Sequence, residues 1–404
     1  MDERIIEEIK LQVRNQLDLS RELRDEEIID IIDEAILSKA RDVYIDTKEK
    51  VVLALQLFNA LRRLDVLQPF IIDESVTEIM VNGKDFIFIE KKGQLIQSEV
   101  RFETVERLED VIQSIVSKMN RVVNEATPIC DARLEDGSRI NVVLPPIALN
   151  GPILTIRKFS KKTINMQQLL GWKAISEEAA EFLEKAIKAK YNIFISGGTG
   201  SGKTTLLNIL SNFIPNDERI ITIEDSAELQ ISQVDNVVSL ETRNPNLEGK
   251  GAITISDLIR TSLRMRPDRI IVGEVRGVEA LDMLQAMNTG HDGSLSTGHA
   301  NSTKDMLSRL ETMILSKENF PLEAIRKQIV SSIDLMVHLG RMRDKSRKIL
   351  EITELVGIKD GEIQLNPLFV YEEDTSSIGN KVCGSLNATK NQMVHTEKLV
   401  LRRS

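Results

Sequence analysis

Apolar residues near the amino terminus follow a helical period. Over 1–66 they recur three and four positions apart in successive stripes, one of which includes Ile28, Ile32 and Ile36. Such spacing places the apolar side chains on one face of a helix. We therefore predict a small helical bundle over 1–66 that packs on itself or on a neighbouring subunit.

Between 67 and 160 the chain changes to a strand-like pattern. An alternating run ends in Asn82-Gly83, a strong turn signal, and further strand-like runs occupy 139–144 and 153–159. One stretch, 103–120, keeps the helical period. Strands around a single helix predict an α+β domain over 67–160.

The chain then alternates short β-rich runs with helical stretches. The β-rich runs are 192–196, 220–224, 237–240, 270–274 and 294–297. Helical periodicity fills the stretches between several of them, such as 256–265 and 277–287. A mostly parallel sheet covered by helices produces this alternation, so we predict an α/β domain over 176–373.

Less regular segments lie around this α/β domain. Residues 161–175 are polar and irregular, and we predict a linker there. Near the end of the domain, 349–358 and 362–371 flank Lys359-Asp360-Gly361 and predict a hairpin. The tail 374–404 is rich in Ser, Asn, Thr and Gly, and we predict that it is loosely ordered.

Composition and charge exclude several classes of protein. Of 404 residues, 41% are hydrophobic and 28% are charged, which is ordinary for a globular chain and excludes wholesale disorder. The 53 Lys and Arg against 62 Asp and Glu give a net charge of −9, so we expect no nucleic-acid partner. Two cysteines exclude a disulfide framework and a cysteine-rich zinc site. The amino terminus is charged, and the sequence lacks the roughly 20 consecutive apolar residues of a membrane span. We therefore predict a cytoplasmic chain that reaches a membrane only through partners.

The strongest chemical signal is a glycine-rich loop. Gly197-Gly-Thr-Gly-Ser-Gly-Lys203-Thr204 fits the pattern G-x-x-x-x-G-K-[ST], follows a β-rich run directly and opens a helical stretch. Glycines let successive backbone N–H groups point at phosphate oxygens, Lys203 supplies a cation to the β and γ phosphates, and Thr204 offers a hydroxyl to Mg²⁺. The predicted nucleotide-binding residues are Gly198, Thr199, Gly200, Ser201, Gly202, Lys203, Thr204 and Thr205.

A nucleoside triphosphatase also needs carboxylates at the ends of neighbouring strands, where they hold Mg²⁺ and orient water. One β-rich run ends in Glu224 and Asp225, with Glu228 one turn further, and another ends in Glu274. An acidic cap at a strand end would explain either run alone, but both follow the glycine-rich loop. The sequence leaves open which of Glu224, Glu228 and Glu274 polarises the water.

An imidazole and several arginines complete the set of candidates. His299 follows the last β-rich run, where side chains face the ligand crevice, and a γ-phosphate-sensing or water-positioning role suits it better than zinc binding. Arg139 and Arg157 lie in the α+β domain, and a cation on the transition state accelerates phosphoryl transfer by about 10³–10⁵-fold. For either arginine alone, surface charge is the simpler interpretation. The basic run 341–348 is most simply a solvated turn.

Taken together, these motifs resemble the type II and type IV secretion-system ATPases, and within them the CpaF branch that serves Tad (Flp) pilus assembly. The resemblance covers about 65–370. Its blocks are the glycine-rich loop and 75–83, 131–141, 145–146, 151–159, 222–225, 263–269, 273–276 and 290–302.

The resemblance implies a homohexameric ring of two-domain subunits, each with a RecA-like P-loop NTPase domain at its carboxyl end. ATP and Mg²⁺ would bind between the two domains, where Arg139 and Arg157 would reach the phosphates. The ring would act on an inner-membrane platform protein and extrude pilus subunits or secrete related proteins. The matching catalytic and metal positions are Glu224, Asp225, Glu274 and His299, with Thr204, Asp225 and Glu274 as Mg²⁺ ligands.

Two other classes of protein are alternatives. A RecA-like nucleic-acid motor, such as a plasmid-transfer ATPase, would share the core, but the net charge of −9 disfavours it. A small GTPase or metabolite kinase would also carry the glycine-rich loop. The Asn-Lys-x-Asp motif by which GTPases select their base is incomplete here, because 380–383 reads Asn-Lys-Val-Cys.

Overall fold

The computed structural model describes residues 3–17, 23–91, 93–119, 121–134, 136–159, 164–245, 249–316, 320–374 and 381–401. They belong to two compact units, Met1–Lys161 and Lys162–Ser404. Within the described ranges, no helix combines the length and the apolar character needed to cross a membrane.

Helices open the first unit, because successive segments each carry one apolar face. These faces pack together in a buried cluster that includes Ile9, Ile32 and Leu53. The prediction of helices is confirmed for the described part of 1–66, whereas residues 1–2 and 18–22 lie outside it. The helices are α1 (Glu3–Gln16), α2 (Asp25–Lys39), α3 (Thr47–Arg62) and α4 (Gln68–Ile72), with a 3-10 turn at Asp65–Leu67.

The rest of the first unit is a six-stranded antiparallel sheet with one helix. The strands are β1 (Val76–Asn82), β2 (Phe86–Lys91), β3 (Gln94–Gln97), β4 (Ile129–Arg133), β5 (Arg139–Val143) and β6 (Ile153–Arg157), and the helix is α5 (Val105–Lys118). The strand order is β3-β2-β1-β6-β5-β4. Leu108 and Ile112 of α5 share a buried cluster with Ile79 and Val81 of β1, which confirms the strands and helix expected there. Residue 120, the predicted end of the helix, lies outside the described residues.

The second unit is built on a nine-stranded sheet. Its strands are β7 (Ile193–Gly197), β8 (Ile220–Glu224), β9 (Val237–Glu241), β10 (Arg269–Val275), β11 (Leu295–His299), β12 (Leu335–Arg341), β13 (Arg347–Lys359), β14 (Glu362–Glu373) and β15 (Gly384–Ala388). The order is β15-β14-β13-β12-β7-β11-β10-β8-β9. The six strands from β12 to β9 are parallel, and β13, β14 and β15 extend the sheet in antiparallel fashion.

Helices cover both faces of this sheet. They are α6 (Met166–Gly171), α7 (Glu177–Lys188), α8 (Lys203–Ser211), α9 (Ile255–Ser262), α10 (Glu279–Met287), α11 (Thr303–Leu315), α12 (Leu322–Ser332) and α13 (Glu397–Leu401). Ile193 and Ile195 of β7 lie in one buried cluster and Phe194 lies in another, as expected when successive residues point to opposite faces. Burial on both faces explains why the parallel strands read as continuous apolar runs. The predicted α/β fold and the hairpin of β13 and β14 are confirmed.

The segment predicted as an irregular linker contains a helix. Within 161–175, α6 begins after Asn165, whose side chain accepts from the N–H of Gln168. Met166 and Leu169 pack against the buried cluster of the second unit. The prediction of a linker over 161–175 is therefore wrong for 166–171, and residues 161–163 lie outside the described residues.

The prediction of a loosely ordered tail is wrong for 381–401. β15 pairs with residues 369–373 of β14, and the buried carboxylate of Glu354 accepts backbone N–H groups of Val394 and His395 at 2.7–3.1 Å. Tyr191 donates to the carbonyl of His395 at 2.7 Å. Composition misled because the few apolar residues of the segment, such as Leu386, are spaced among polar ones, and backbone hydrogen bonds and a distant carboxylate supply much of the attachment. Residues 375–380 and 402–404 lie outside the described residues.

Candidate nucleotide-binding site

The glycine-rich loop joins the buried strand β7 to helix α8. Gly200 and Gly202 have φ of +69° and +99°, a backbone region that glycine adopts without strain. A Cβ on Gly197 would lie 2.6 Å from the carbonyl oxygen of Leu339 on the neighbouring strand β12. The glycines are thus required both by the turn and by the close approach of β12.

The interior of the loop is closed by hydrogen bonds that an anion can replace. Lys203 is buried, and its Nζ donates to the carbonyl of Gly198 at 3.0 Å; the N–H of Ser201 donates to the same oxygen at 3.3 Å. The Ser201 hydroxyl is buried and has no hydrogen-bond partner among the described residues. Burial lowers the pKa of Lys203, and Glu274 opposes that shift. Donors converging at a helix N-terminus fit a phosphate group.

A chain of polar contacts runs from Lys203 across the carboxyl ends of the parallel strands. Lys203 Nζ lies 3.3 Å from His299 Nδ1, and His299 Nε2 lies 2.8 Å from Glu274 Oε1. The other oxygen of Glu274 accepts from Arg276 at 2.8 Å, and Arg276 lies 3.4 Å from Asp225. Residues from α8, β11, β10 and the end of β8 therefore meet beside the glycine-rich loop.

The protonation states within this chain follow from burial and charge. Burial and then the charge of Lys203 lower the pKa of His299, so the imidazole is neutral near pH 7. Because Nδ1 faces the Lys203 ammonium, the ring proton lies on Nε2, the nitrogen closer to Glu274. Glu274 Oε1 nevertheless has no hydrogen-bond partner among the described residues, so its contact with the ring is close but not a hydrogen bond. Burial would raise the pKa of Glu274, but the hydrogen bond and charge of Arg276 and the charges of His299 and Lys203 outweigh it and lower the pKa. Glu274 is therefore ionised.

The three candidate water-activating carboxylates have different surroundings. Glu224 is buried, and it accepts the backbone N–H of Glu228 at 2.8 Å and that of Leu229 at 3.2 Å, which fixes the turn after β8. Glu228 lies on that turn and is half-buried. Glu274 contacts His299, which in turn contacts Lys203.

Residues that could hold Mg²⁺ lie at the same strand ends. Thr204 is in the first turn of α8, next to Lys203, and Asp225 and Glu274 both contact Arg276. Within the described ranges, no cluster of three or more His, Cys, Asp or Glu is arranged for a metal. Mg²⁺ commonly uses one or two carboxylates together with phosphate oxygens and waters, and this donor set suits that mode of binding.

The two predicted arginines lie in the first unit. Arg139 of β5 pairs with Arg157 of β6 and, on its other side, with Arg133 of β4. Directly paired residues of adjacent strands share a face of the sheet, so the three arginines form a row. Arg157 is exposed, and Glu78 of β1 is its cross-strand neighbour on the other side.

Sequence reasoning missed some contacts of this site. Arg276 had no predicted role, although its place two residues after Glu274 was a usable signal. The buried hydroxyl of Ser196 lies 2.9 Å from Nδ1 of His338, a pairing between residues 142 positions apart that no local pattern indicates. The prediction that 341–348 is simply a solvated turn is wrong: Arg347 contacts the glycine-rich loop and Lys348 is buried.

Comparison with known proteins agrees with this architecture. The profile of the family described as type II/IV secretion system protein matches residues 60–386. The conjugal transfer protein TrbB of Rhizobium radiobacter is 34% identical over 307 residues, which are 75% of this chain and 91% of TrbB. An uncharacterized protein of Methanocaldococcus jannaschii is 43% identical over 263 residues, 63% of this chain; the chain spans only 35% of the length of that relative.

Solved structures share the fold. The ATPase DotB of Legionella pneumophila has 21% identity and a TM-score of 0.50 over 74% of this chain and 81% of DotB. The pilus retraction motor PilT, solved with bound ADP, has 19% identity and a TM-score of 0.51 over 75% of this chain and 80% of PilT. The match over 60–386 and the likeness to TrbB show that the chain belongs to the type II/IV secretion system protein family.

Proposed function

We propose that the chain hydrolyses ATP and uses the energy to drive a pilus or secretion machine. The observation that carries the proposal is the chain of contacts from Lys203 through His299 to Glu274, which joins the glycine-rich loop to an ionised carboxylate. Its structural neighbours DotB and PilT are an ATPase and a pilus motor.

Each residue of the site would have a distinct task. Lys203 and the loop N–H groups would leave the carbonyl of Gly198 and donate to phosphate oxygens. Thr204, Asp225 and Glu274 would hold Mg²⁺, which, when bound, neutralises charge on the phosphates. Ionised Glu274 would orient the attacking water.

Neutral His299 would accept from Lys203 through Nδ1 and hold Nε2 within 2.8 Å of Glu274, whose Oε1 accepts no hydrogen bond from the described residues. This arrangement fixes the carboxylate beside the loop while leaving it ionised, as an acceptor for water must be. Glu224 would act through the turn that it holds, which carries Glu228.

A ring architecture would bring in the first unit. Arg139 and Arg157 would reach the phosphates from there, as the resemblance to the CpaF branch implies. We propose a homohexamer on the cytoplasmic side of the inner membrane, acting on a platform protein in Tad pilus assembly. The sequence blocks of that branch, together with membership of the family, support this proposal.

The experiment is Mg²⁺-dependent ATP turnover of purified variants. Lys203→Ala should abolish turnover because it removes the cation of the loop, whereas Lys185→Ala removes an exposed lysine of α7 and should leave turnover unchanged. Wild-type turnover in Lys203→Ala would contradict the site.

A second variant tests the contribution of the first unit. Arg157→Ala should lower kcat far more than it weakens ATP binding, because a cation on the transition state acts mainly on the chemical step. Equal losses in kcat and in binding would refute a transition-state role for Arg157.

A plasmid-transfer motor is the second candidate, favoured by the name of the TrbB relative. The net charge of −9 opposes a nucleic-acid track. Turnover measured with and without single- and double-stranded DNA separates the two. Stimulation by DNA that disappears as salt rises would favour the plasmid-transfer motor.

A further inference from the structure

The basic run 341–348 lies beside the glycine-rich loop, although nothing in the proposed function uses it. β12 and β13 form a hairpin in which Arg341 pairs with Arg347. β12 also runs parallel to β7, with Leu339 opposite Gly197. β12 therefore lies beside the start of the glycine-rich loop and leads into the hairpin whose basic residues lie near that loop.

Arg347 makes a direct contact with the loop backbone. Its Nε donates to the carbonyl oxygen of Gly200 at 2.9 Å, and its Cδ lies 3.6 Å from the position that a Cβ on Gly202 would take. Arg341 comes near the loop without such a bond: its Nη1 is 3.9 Å from the Cβ position of Gly200.

The contact has a defined consequence for the direction of the next N–H group. In a trans peptide, the C=O and the following N–H point in opposite directions. Arg347 holds the carbonyl of Gly200 on the outer side of the loop, so the N–H of Ser201 faces inward, where it donates to the carbonyl of Gly198. That inward position is the one from which an N–H group can reach a phosphate.

The hairpin is held in place from several sides, so Arg347 is presented by a fixed support. Asp344 accepts the N–H of Ser346 at 2.9 Å and that of Val382 at 3.1 Å. Arg343 donates to Glu373 of β14 at 2.9 Å.

The base of the hairpin is anchored as well. Lys348, next to Arg347, is buried and donates to the carbonyls of Trp172 and Lys173 at 2.9 and 2.7 Å. Anchored at its turn and at its base, the hairpin keeps the Arg347 guanidinium at the loop.

We propose that Arg347 is a positioning residue of the nucleotide site, which fixes the peptide between Gly200 and Ser201 with its N–H directed at the phosphates. The proposal rests on the proposed nucleotide site. It assigns to a hairpin 147 residues away the task of keeping a flexible glycine peptide in its binding orientation. Loss of Arg347 would weaken binding of any nucleotide with at least two phosphates and would leave the chemical step nearly intact.

The test compares four variants in the full chain. Arg347→Met removes the donor and keeps the apolar stem, and Arg347→Lys keeps the charge. Arg341→Met removes a charge near the loop that makes no backbone bond, and Lys345→Met removes a charge at the hairpin turn. The dissociation constant of ADP is measured by calorimetry, and kcat and KM are measured for ATP with Mg²⁺.

Arg347→Met should raise the ADP dissociation constant and the ATP KM by about 5- to 20-fold, the effect of one charge-assisted hydrogen bond, with kcat within about threefold of wild type. Arg347→Lys should recover part of this loss. Arg341→Met and Lys345→Met should each change binding by less than about threefold.

Two results would overturn the inference while leaving the nucleotide site intact. One is that Arg347→Met binds ADP within about twofold of wild type. The other is that Arg341→Met weakens ADP binding as much as Arg347→Met does, which would make the loss of charge, and not the loss of the bond to Gly200, the cause. Wild-type protein that binds no ADP would instead overturn the proposed function, and this inference with it.

Discussion

A buried ion pair gives the sharpest test of how the second unit is held together. Arg269 of β10 is fully buried, and its Nε and Nη2 donate to the two oxygens of Glu218 at 2.7 and 2.9 Å. Its Nη1 donates to the carbonyls of Ile187 and Gly293 at 2.8 and 3.2 Å. The guanidinium on β10 thus joins the end of α7 to the segments that precede β8 and β11.

Glu218→Ala leaves a buried guanidinium with two donors unpaired. Removing one partner of a buried ion pair destabilises a protein by about 3–5 kcal/mol, and we expect about 3 kcal/mol here because Lys190 and the surface lie close to Glu218. The double variant Glu218→Ala/Arg269→Met should be more stable than Glu218→Ala, because it removes the stranded charge.

Urea unfolding followed by tryptophan fluorescence measures this loss in the second unit alone, because Trp172 is the single tryptophan of the chain. The control is Glu181→Ala, which removes an ion pair with Lys185 that is exposed on both sides. That variant should lose less than about 0.5 kcal/mol.

The same pair predicts a dependence on pH. Burial acts to raise the pKa of Glu218, but the hydrogen bond and charge of Arg269 outweigh it and lower the pKa below the ordinary 4.5. A carboxyl with a lowered pKa stabilises the folded state fully above its unfolded pKa and loses that effect as the pH falls through the folded pKa. The difference between wild type and Glu218→Gln should therefore be constant from about pH 7 to 5.5 and shrink below about pH 4.5. The reasoning would be refuted if Glu218→Ala lowered the unfolding free energy by less than about 1 kcal/mol. It would also be refuted if the stability difference between wild type and Glu218→Gln did not change with pH.

Three further outcomes follow from described contacts. ATP turnover should fall as the pH drops below 6.5, the ordinary pKa of histidine, because protonated His299 cannot accept from Lys203. The residual turnover of His299→Asn should lack this fall. If the turnover of His299→Asn fell with pH as that of wild type does, the assignment to His299 would be contradicted. Gly298→Ala places a Cβ 2.8 Å from the sulfur of Met306 and should cost about 1–3 kcal/mol in urea unfolding, whereas no loss would mean that the thioether moves aside freely. Lys348→Met leaves two backbone carbonyls without their lysine donor and should lower the unfolding free energy by about 1–3 kcal/mol; an unchanged urea midpoint would show that water replaces the ammonium.

Elements with strong local signals could be predicted from the sequence. The run 220–224 forms β8 at those bounds, because a strand buried on both faces must be apolar throughout. The glycine-rich loop was equally readable, since its pattern combines backbone freedom with a fixed lysine. His299 and Glu274 could be placed at strand ends, and their mutual contact follows from the order of parallel strands.

Contacts between distant segments had no local signal. Arg347 reaches Gly200 across 147 positions, and a run of basic residues reads as solvent-exposed whether or not it touches another loop. β15 has the sequence Gly-Ser-Leu-Asn-Ala, in which Leu386 is the one buried residue, and a single apolar side chain gives no periodic signal. The role of Glu224 was likewise hidden, since a carboxylate that holds a turn and one that faces water look the same in the sequence.

The final strand matters for anyone who shortens this chain. The family match stops at residue 386, in the middle of β15, and a protein cut at that point would keep only part of the strand. The pairs of Phe369 and Val370 with β15 would be lost, which would lengthen the stretch of β14 whose backbone groups face solvent. Unpaired strand edges can pair with strands of other molecules, so we expect the truncated protein to aggregate for a reason unrelated to its nucleotide chemistry.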